Sequence, residues 1–390
     1  MKKLFFVILI AVISSSVFGA ASVYANEKPG LQLNVNAKSA VLLEPSTGKI
    51  LLEQNADERL APASVTKVMT MYIIYEALEQ GRISLEDIVT VSEHASKMGG
   101  SQIFLEPAER QTVRDLLKSV VIASANDASV ALAEFISGSE ESFVDLMNRT
   151  AADMGLKDTQ FRNSCGLDAD GHYMSARDIA VLTMELINKY PQVFEYSTIW
   201  MDSIVHKTAR GESEFGLTNT NKLIKWYNGA TGLKTGSTGK ALYCLSGTAA
   251  RDNMSLVAVV LASPTPQIRF QEVMKLFDYG FANYKLVTGD EAGQLMGTVA
   301  VSKGGAESVP IKTGNRVSAV VPKGAGGQVE AKPAIFDCVE APVAAGQKLG
   351  EIVYFFDGTE IGTSDVIAAN DISRASFGDM VRRMPKLWFE

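Results

Sequence analysis

Residues 64–79 set the strongest limit on how this chain can fold. The segment contains no glycine or proline, and apolar side chains occur at nearly every angle around a helix of this sequence. These side chains are Val65, Val68, Met69, Met71, Tyr72, Ile73, Ile74 and Leu78. Because a helix that is apolar on all sides is stable only when enclosed, we predict a central helix in a domain large enough to surround it.

Both strands and helices are predicted around this segment. Apolar runs at 39–44 and 49–53 flank a Pro/Gly turn and are typical of a β-hairpin. The other predicted helices cover residues 112–122, 127–136, 141–154 and 175–189, and the first opens with a capping box of Thr112 and Asp115. The other predicted strands cover residues 232–236, 241–249 and 255–262.

The sequence changes in character after Tyr284. Short alternating runs at 317–321, 334–339 and 352–356 predict a small all-β domain. Residues 375–390 carry apolar side chains at helical spacing, with cations between them, and the residues are Phe377, Met380, Val381, Arg382, Arg383, Met384, Lys386 and Trp388. We expect an amphipathic helix on an anionic membrane surface; the alternative is a helix packed on the β domain.

The N-terminus has the pattern of a secretory signal peptide. Lys2 and Lys3 precede an apolar run at 4–13, and small residues precede a cleavage point after Ala25. An uncleaved anchor is the weaker alternative, because a membrane span needs about 20 apolar residues. The expected division is a signal peptide at 1–25, a main domain at 26–284, a small all-β domain at 285–374 and an amphipathic helix at 375–390.

Composition and residue distribution exclude several kinds of function. The formal net charge is −7, and no cluster of cations suits a nucleic-acid partner, which would present many phosphates. Three cysteines and three histidines are scattered along the chain, so neither a disulfide framework nor a metal site is predicted. No phosphate-binding Gly-Lys-Ser/Thr motif occurs, and no cofactor is expected. The sequence does not fix an oligomeric state.

Ser-x-x-Lys motifs can place a nucleophile beside its base, because residues i and i+3 share a face of a helix. The chain has three such motifs, at 46–49, 64–67 and 237–240. Glycine interrupts the first and third, which are predicted turns, whereas Ser64 opens the buried helix. Free N–H groups at a helix start could also stabilise an oxyanion. The alternative is that Ser64 is a helix N-cap and Lys67 a solvated lysine.

Two other short motifs carry groups suited to binding a carboxylate or moving a proton. Lys-Thr-Gly occurs at 234–236 on a predicted strand and again at 312–314, where we interpret it as a strand end with an exposed lysine. Ser124-Ala125-Asn126 falls between two predicted helices, in a turn from which side chains can project. The alternative role for Ser124 is the N-cap of the following helix.

In order and spacing, Ser64-x-x-Lys67, Ser124-x-Asn126 and Lys234-Thr-Gly236 resemble the three motifs of penicillin-binding proteins and serine β-lactamases. Nearly all of the mature chain resembles the low-molecular-mass penicillin-binding proteins that are D-alanyl-D-alanine carboxypeptidases. The other matching segments are 63–67, 124–132, 166–167, 172–176, 219–221 and 232–236. The resemblance implies an α/β (α+β) penicillin-recognising serine transferase fold, in which an antiparallel sheet is flanked by a helical region.

The resemblance also implies a serine acyl-transfer reaction on peptidoglycan stem peptides that end in D-Ala-D-Ala. Ser64 would attack the carbonyl between the two D-alanines, and Lys67 would accept its proton. Ser124 would relay a proton to the leaving amine, and Asn126 would hold the substrate amide. β-Lactams would be covalent inhibitors, and the enzyme would act as a peripheral protein on the outer face of the bacterial cytoplasmic membrane.

The remaining implied roles concern the oxyanion and the substrate carboxylate. Backbone N–H groups of Ser64 and Ser237 would form the oxyanion hole. The carboxylate of the terminal D-alanine would be bound by Lys234, Thr235, Gly236 and Arg269. Apart from the resemblance, Arg269 could equally be an exposed arginine at a helix start.

The sequence departs from the family pattern at two places. Ser237 stands where many members have His or Tyr, and Asn163-Ser164-Cys165 replaces the usual Asn-Pro-x. The second departure leaves Cys165 without a family role, and a Cys165/His172 nucleophilic pair is a remote alternative. We interpret His172 as structural.

Two other functions fit parts of the pattern. A serine β-lactamase would share the three motifs, but a class A enzyme needs a deacylating glutamate, and no convincing Glu-x-x-Leu-Asn loop occurs. A noncatalytic wall-binding or antibiotic-sensing module would keep the fold without the reaction. The intact Ser64, Lys67, Asn126 and Lys234 argue against such a module.

Overall fold

The computed structural model describes residues 33–209 and 211–379. Its strands are β1 (Ser39–Glu44), β2 (Lys49–Gln54), β3 (Ile88–Thr90), β4 (Arg110–Thr112), β5 (Met201–Thr208), β6 (Gly211–Thr218), β7 (Ala230–Thr238), β8 (Leu242–Arg251), β9 (Met254–Ser263), β10 (Tyr284–Thr288), β11 (Leu295–Ser302), β12 (Ser308–Thr313), β13 (Ser318–Pro322), β14 (Val329–Ile335), β15 (Cys338–Glu340), β16 (Lys348–Phe356) and β17 (Thr359–Ala368). Its α-helices are α1 (Lys67–Glu79), α2 (Glu93–Ser96), α3 (Val113–Ile122), α4 (Asn126–Ser137), α5 (Glu140–Asp153), α6 (Ala176–Lys189), α7 (Phe194–Ser197), α8 (Leu223–Trp226) and α9 (Pro266–Asn283).

The first main sheet has the strand order β2-β1-β9-β8-β7, and every neighbouring pair is antiparallel. β1 is buried along its whole length because both of its faces are covered. Val41 and Leu43 point into the main helical core, whereas Leu42 faces Gly280 of α9. The predicted antiparallel sheet with a helical region is therefore confirmed, and β7 is left at one edge of the sheet.

α1 is the central helix that the sequence predicts. Ten of its 13 residues are buried, and α3, α4 and α6 pack around it. Its start differs from the prediction: Ser64 lies in a 3₁₀ turn, Ala63–Thr66, and the α-helix begins at Lys67. The N-cap positions of the turn and of the helix are Pro62 and Thr66, so Ser64 is not a helix cap.

The other predicted helices and strands are present, and Thr112 caps α3 by accepting a hydrogen bond from the backbone N–H of Asp115. The sequence patterns do not predict the hairpin of β5 and β6. Most side chains of these two strands are exposed or half-buried, so the strands lack the regular apolar alternation that would mark them. β6 ends two residues before Thr220, which contacts a residue of the site described below.

The region after α9 is built from strands, as expected for a small all-β domain. β10 pairs with β13, and six strands form a second main sheet in the order β14-β16-β17-β12-β11-β15. Within that sheet only the β11–β15 pair is parallel. Its core contains Val309, Ile311, Leu349, Ile352 and Val366, and Val309 and Ile311 show the two-residue alternation of a strand with one buried face.

The expected signal peptide at 1–25 and most of the expected tail helix, residues 380–390, lie outside the described residues. Ile372 and Arg374 form isolated bridges to Val343 and Gly304, so the chain is still part of the β region at these positions. A helical turn begins just after Ser376. Among the helices of the described residues, none is long and apolar enough to cross a membrane.

Candidate active site

Ser64 and Lys67 lie together at the junction of the 3₁₀ turn and α1. The Nζ atom of Lys67 is 3.2 Å from Ser64 Oγ, 2.5 Å from Asn126 Oδ1 and 2.7 Å from the carbonyl oxygen of Cys165. A neutral amine has two N–H groups and one lone pair. If the two N–H groups donate to the amide and carbonyl oxygens, the lone pair is left for the Ser64 hydroxyl.

The environment of Lys67 favours that neutral amine. Its side chain is fully buried, and burial lowers the pKa of Lys67 to about 8, against smaller opposing effects of Cys165 and Asp127. No carboxylate within salt-bridge distance of Lys67 is found among the described residues. A lysine in this state can accept a proton near neutral pH, which a solvated lysine does rarely.

Ser124 and Lys234 form a second pair near Lys67. The Nζ atom of Lys234 donates to Ser124 Oγ over 2.8 Å, and both side chains are buried. Burial, with the nearby cations Lys67 and Arg269, holds the pKa of Lys234 well below its usual range. Ser124 has a φ of +62° in the turn before α4, and Ala125 is the N-cap of that helix. The alternative interpretation of Ser124 as an N-cap is therefore wrong.

Asn126, the first residue of α4, links Lys67 to the segment of residues 99–105. Its Nδ2 donates to the carbonyl of Gly99 over 2.6 Å, while its Oδ1 accepts from Lys67. The neighbouring Asp127 carboxylate accepts from the backbone N–H groups of Ile103 and Leu105. These bonds fix residues 99–105 beside the lysine, and the sequence assigns no such role to Asp127.

Two glycines allow the backbone to approach Ser64 closely. A Cβ atom at Gly236, on the edge strand β7, would lie 3.0 Å from the backbone nitrogen of Ser64 and 2.7 Å from the carbonyl oxygen of Pro62. Gly166 has a φ of +87°, and a Cβ atom there would overlap the Ala63 carbonyl oxygen. The edge of β7 therefore runs directly alongside the turn that holds Ser64, and Ser237 follows on that edge, with an exposed side chain.

Arg269 supports the same end of β7 from α9. Its Nη1 donates to the carbonyl oxygens of Gly236 and Cys244, over 3.0 and 3.3 Å, and its Nε has no hydrogen-bond partner among the described residues. The side chain is 8% exposed, and burial lowers its pKa to about 10. The interpretation of Arg269 as an exposed arginine is therefore wrong.

The hydroxyl of Thr235 lies 2.7 Å from the hydroxyl of Thr220, a residue of the loop between β6 and α8. Thr220 is a site residue that the sequence analysis does not assign, although it falls inside the matching segment 219–221. Its only sequence signal is that position, because a threonine in a loop has no distinctive pattern.

The other candidate motifs do not form comparable groups. Ser46 Oγ donates to Glu44, whereas Lys49 Nζ donates to the carbonyl of Val320, so these two side chains are not paired. Ser237 is exposed near the end of β7, Lys240 is exposed in the turn that follows, and Lys312 belongs to the second sheet. Only 64–67 of the three Ser-x-x-Lys motifs has its serine and lysine in contact.

The Cys165/His172 pair is not formed. His172 Nε2 lies 2.8 Å from Thr66 Oγ1, and its Nδ1 accepts from the backbone N–H of Arg162. Burial lowers the pKa of His172 to about 4, so the ring is neutral, and burial raises the pKa of the Cys165 thiol. No group of three side chains able to hold a metal ion occurs in the described parts of the chain.

Comparisons with known proteins agree along the whole chain. Residues 23–265 match the family described as D-alanyl-D-alanine carboxypeptidase, and residues 284–374 match the C-terminal domain of penicillin-binding protein 5. The chain is 42% identical to the D-alanyl-D-alanine carboxypeptidase DacF of Bacillus subtilis, covering 100% of this chain and 99% of the relative. It is 36% identical to DacC of Escherichia coli, covering 92% and 90%.

The solved structures give the same result. Penicillin-binding protein 5 from Haemophilus influenzae is similar with a TM-score of 0.70 and 34% identity, over 87% of this chain and 98% of that one. A penicillin-binding protein from Streptococcus pneumoniae is similar with a TM-score of 0.69 and 29% identity, over 87% and 100%.

Proposed function

The chain belongs to the D-alanyl-D-alanine carboxypeptidase family of serine peptidases, and we propose that Ser64 is the nucleophile with which it removes the terminal D-alanine. The observation that carries this assignment is the contact between Ser64 Oγ and the buried amine of Lys67. A hydroxyl nucleophile needs a neutral base within reach, and the pKa of Lys67 is lowered to about 8.

The reaction follows from the two lysine–serine pairs. Lys67 takes the proton of Ser64 as Oγ attacks the carbonyl between the two D-alanines, and a tetrahedral oxyanion forms. We propose that backbone N–H groups of Ser64 and Ser237 stabilise this oxyanion. Ser124 accepts a hydrogen bond from Lys234, so its own proton can pass to the leaving amine. The proton that Lys67 took from Ser64 then replaces the one that Ser124 gave up, and Lys67 is neutral again. D-Alanine departs, and water then hydrolyses the ester on Ser64.

The carboxylate of the leaving D-alanine explains the cations around β7. Lys234, Thr235 and Gly236 belong to that strand, Arg269 contacts it, and Asn126 would hold the substrate amide. The lowered pKa of Lys234 reflects burial among other cations. A bound carboxylate would oppose that effect, so substrate binding itself favours the charged form of Lys234.

Release of a single D-alanine tests the proposed reaction. The protein is incubated with a soluble peptide ending in D-Ala-D-Ala, and the products are followed by mass spectrometry. We expect loss of one D-alanine and a slowly hydrolysed covalent adduct with penicillin. Rapid penicillin turnover without D-alanine release would support the β-lactamase alternative, and absence of both reactions would support a noncatalytic module.

Arg269→Ala is expected to reduce kcat/KM for the peptide by about 10- to 150-fold, because a charge-assisted hydrogen bond to a carboxylate contributes about 1.5–3 kcal/mol. An ester analogue whose terminal carboxylate is blocked should be affected much less. Arg316→Ala, which removes an arginine from the second sheet region, is the matched control. Equal losses on peptide and ester would mean that Arg269 only supports the carbonyls of Gly236 and Cys244.

We further propose that residues 1–25 are a cleaved signal peptide, that residues 26–284 form the catalytic domain, and that residues 285–374 form a separate β domain. The mature protein would act on the outer face of the cytoplasmic membrane as a peripheral protein. The tail at 375–390 would be the amphipathic helix that holds it there. In support, Phe377 at the start of this tail is 84% exposed.

A chain ending at Ala375 is expected to leave the membrane fraction while keeping its activity on soluble peptide and its Tm. Ending at Asp371 would be a poorer test, because it would also remove the bridges of Ile372 and Arg374. The measurements are membrane sedimentation, D-alanine release and thermal unfolding. Continued sedimentation would place the membrane contact elsewhere, most simply in an uncleaved N-terminus, and a clearly lower Tm would mean that the tail packs on the β domain.

A further inference from the structure

The hydrogen-bond acceptor that orients Lys67 from one side is a backbone group. It is the carbonyl oxygen of Cys165, 2.7 Å from Nζ, in the loop of residues 163–167. A backbone carbonyl can orient an amine only if the peptide itself is held in place. The groups that hold this peptide therefore influence where the Lys67 lone pair points relative to Ser64 Oγ.

Glu140, the first residue of α5, holds the residue before Cys165. Its Oε1 accepts from the backbone N–H of Ser164 over 2.9 Å and from Ser164 Oγ over 2.7 Å. Its other carboxylate oxygen lies 2.8 Å from His94 Nε2. Ser164 is fully buried, so the side-chain carboxylate of Glu140 satisfies a peptide N–H that water cannot reach.

The rest of the loop is held by equally direct contacts. The carbonyl oxygen of Ser164 accepts from the hydroxyls of Thr70 and Ser129, over 2.6 and 3.0 Å. Asn163 Oδ1 accepts from the backbone N–H groups of Cys165, Gly166 and Leu167, at 3.3, 2.6 and 3.1 Å. Glu140 supplies a carboxylate to this loop, and Lys67 supplies an amine from its other side.

We propose that Glu140 is a positioning residue for acylation: through Ser164 it fixes the Cys165 carbonyl, which in turn directs the lone pair of Lys67 at Ser64. This inference rests on the proposed role of Lys67 as the base. With the carbonyl fixed, the two N–H groups of the neutral amine go to Cys165 and Asn126. Without the fixed carbonyl, the amine can rotate, and its lone pair points at the Ser64 hydroxyl less often.

Four variants of the full mature chain test the proposal. Glu140→Ala removes both hydrogen bonds to Ser164, Ser164→Ala removes only the hydroxyl contact, and Glu140→Gln keeps an acceptor oxygen. Glu141→Ala is the matched control, because Glu141 is the next residue of α5 and is exposed. The readouts are the single-turnover rate of acylation by a fluorescent penicillin across pH 6–10, roughly two units on either side of the Lys67 pKa, and the Tm of each variant.

Glu140→Ala is expected to lower the limiting acylation rate at high pH by about 10-fold or more, with a smaller loss for Ser164→Ala and substantial rescue by Glu140→Gln. The apparent pKa of the acylation profile should fall in Glu140→Ala, because the ammonium form of Lys67 loses the fixed Cys165 carbonyl that stabilises it. Glu141→Ala should match the parent protein in rate and profile.

The outcomes separate this proposal from the assignment of the base. If Glu140→Ala and Ser164→Ala lower only the Tm, and the folded protein acylates at the parent rate and pH profile, Glu140 is structural and the proposal is overturned. If Lys67→Ala itself acylates at the parent rate, the assignment of Lys67 as the base has failed. A rate loss in Glu140→Ala that Glu140→Gln does not rescue at all would also contradict positioning through hydrogen bonds to Ser164.

Discussion

Ser64→Ala is expected to abolish covalent labelling by a fluorescent penicillin and to lower kcat for D-alanine release by about 10⁴-fold or more. The reason is that no acyl-enzyme can form without the hydroxyl, and residual binding alone cannot replace covalent catalysis. Labelled protein is separated on a denaturing gel, and D-alanine release is measured on the same samples. Thermal unfolding shows that the variant is folded.

Ser46→Ala is the matched control for that experiment. Ser46 also stands three residues before a lysine, but its hydroxyl donates to Glu44 and its lysine points to Val320. We expect this variant to be labelled at the parent rate. Persistent labelling of Ser64→Ala would show that another residue is acylated, and peptide mapping of the adduct would then identify it.

Lys67→Ala is expected to slow acylation by about 10²–10⁴-fold, the usual cost of removing a general base. Lys67→Arg should slow acylation as much as Lys67→Ala does, although arginine keeps a positive charge. The reason is that a guanidinium is not deprotonated between about pH 6 and 10. The rate is measured in single-turnover labelling. Lys49→Ala, which changes the lysine of the unpaired motif, should have no such effect. Near-parent acylation by Lys67→Arg would show that only charge is needed at this position.

The pH dependence of acylation has a definite direction. Lys67 must be unprotonated to accept a proton, and its pKa is lowered to about 8 by burial. The rate in the parent protein should therefore rise as the pH increases through about 8 and then level off. Lys67→Ala should lose this rise. A parent profile that falls over the same range would mean that the charged form of Lys67 is the active one.

Much of the fold could be predicted because local patterns carry it. The all-round apolar sequence of residues 64–79 could only be stable as an enclosed helix, and α1 is enclosed. The alternation after Tyr284 predicted strands, which the second sheet confirms. The hairpin of β5 and β6 was beyond prediction, because its residues are mostly exposed and are held by pairing between the two strands.

Some residues of the candidate site could likewise be predicted from the sequence, and others could not. Ser64, Lys67, Ser124, Asn126 and Lys234 lie in short motifs that the sequence shows directly, and the order of these motifs, through the family resemblance, implied their roles. Arg269 needed the family resemblance, since one arginine in a helix has no pattern of its own. The carbonyl of Cys165 and the carboxylate of Glu140 could not be found in this way, because their contacts join residues far apart in the chain.

The sequence by itself determined which side chains could perform serine acyl transfer, since hydroxyl, amine and guanidinium groups are fixed by residue type. Only the tertiary structure decided which copy of each motif has them in contact. Burial lowers the pKa of Lys67 below that of an ordinary surface lysine, and Lys67 is buried only because other elements enclose α1. Likewise, Gly236 meets Ser64 only because β7 is the edge of a folded sheet.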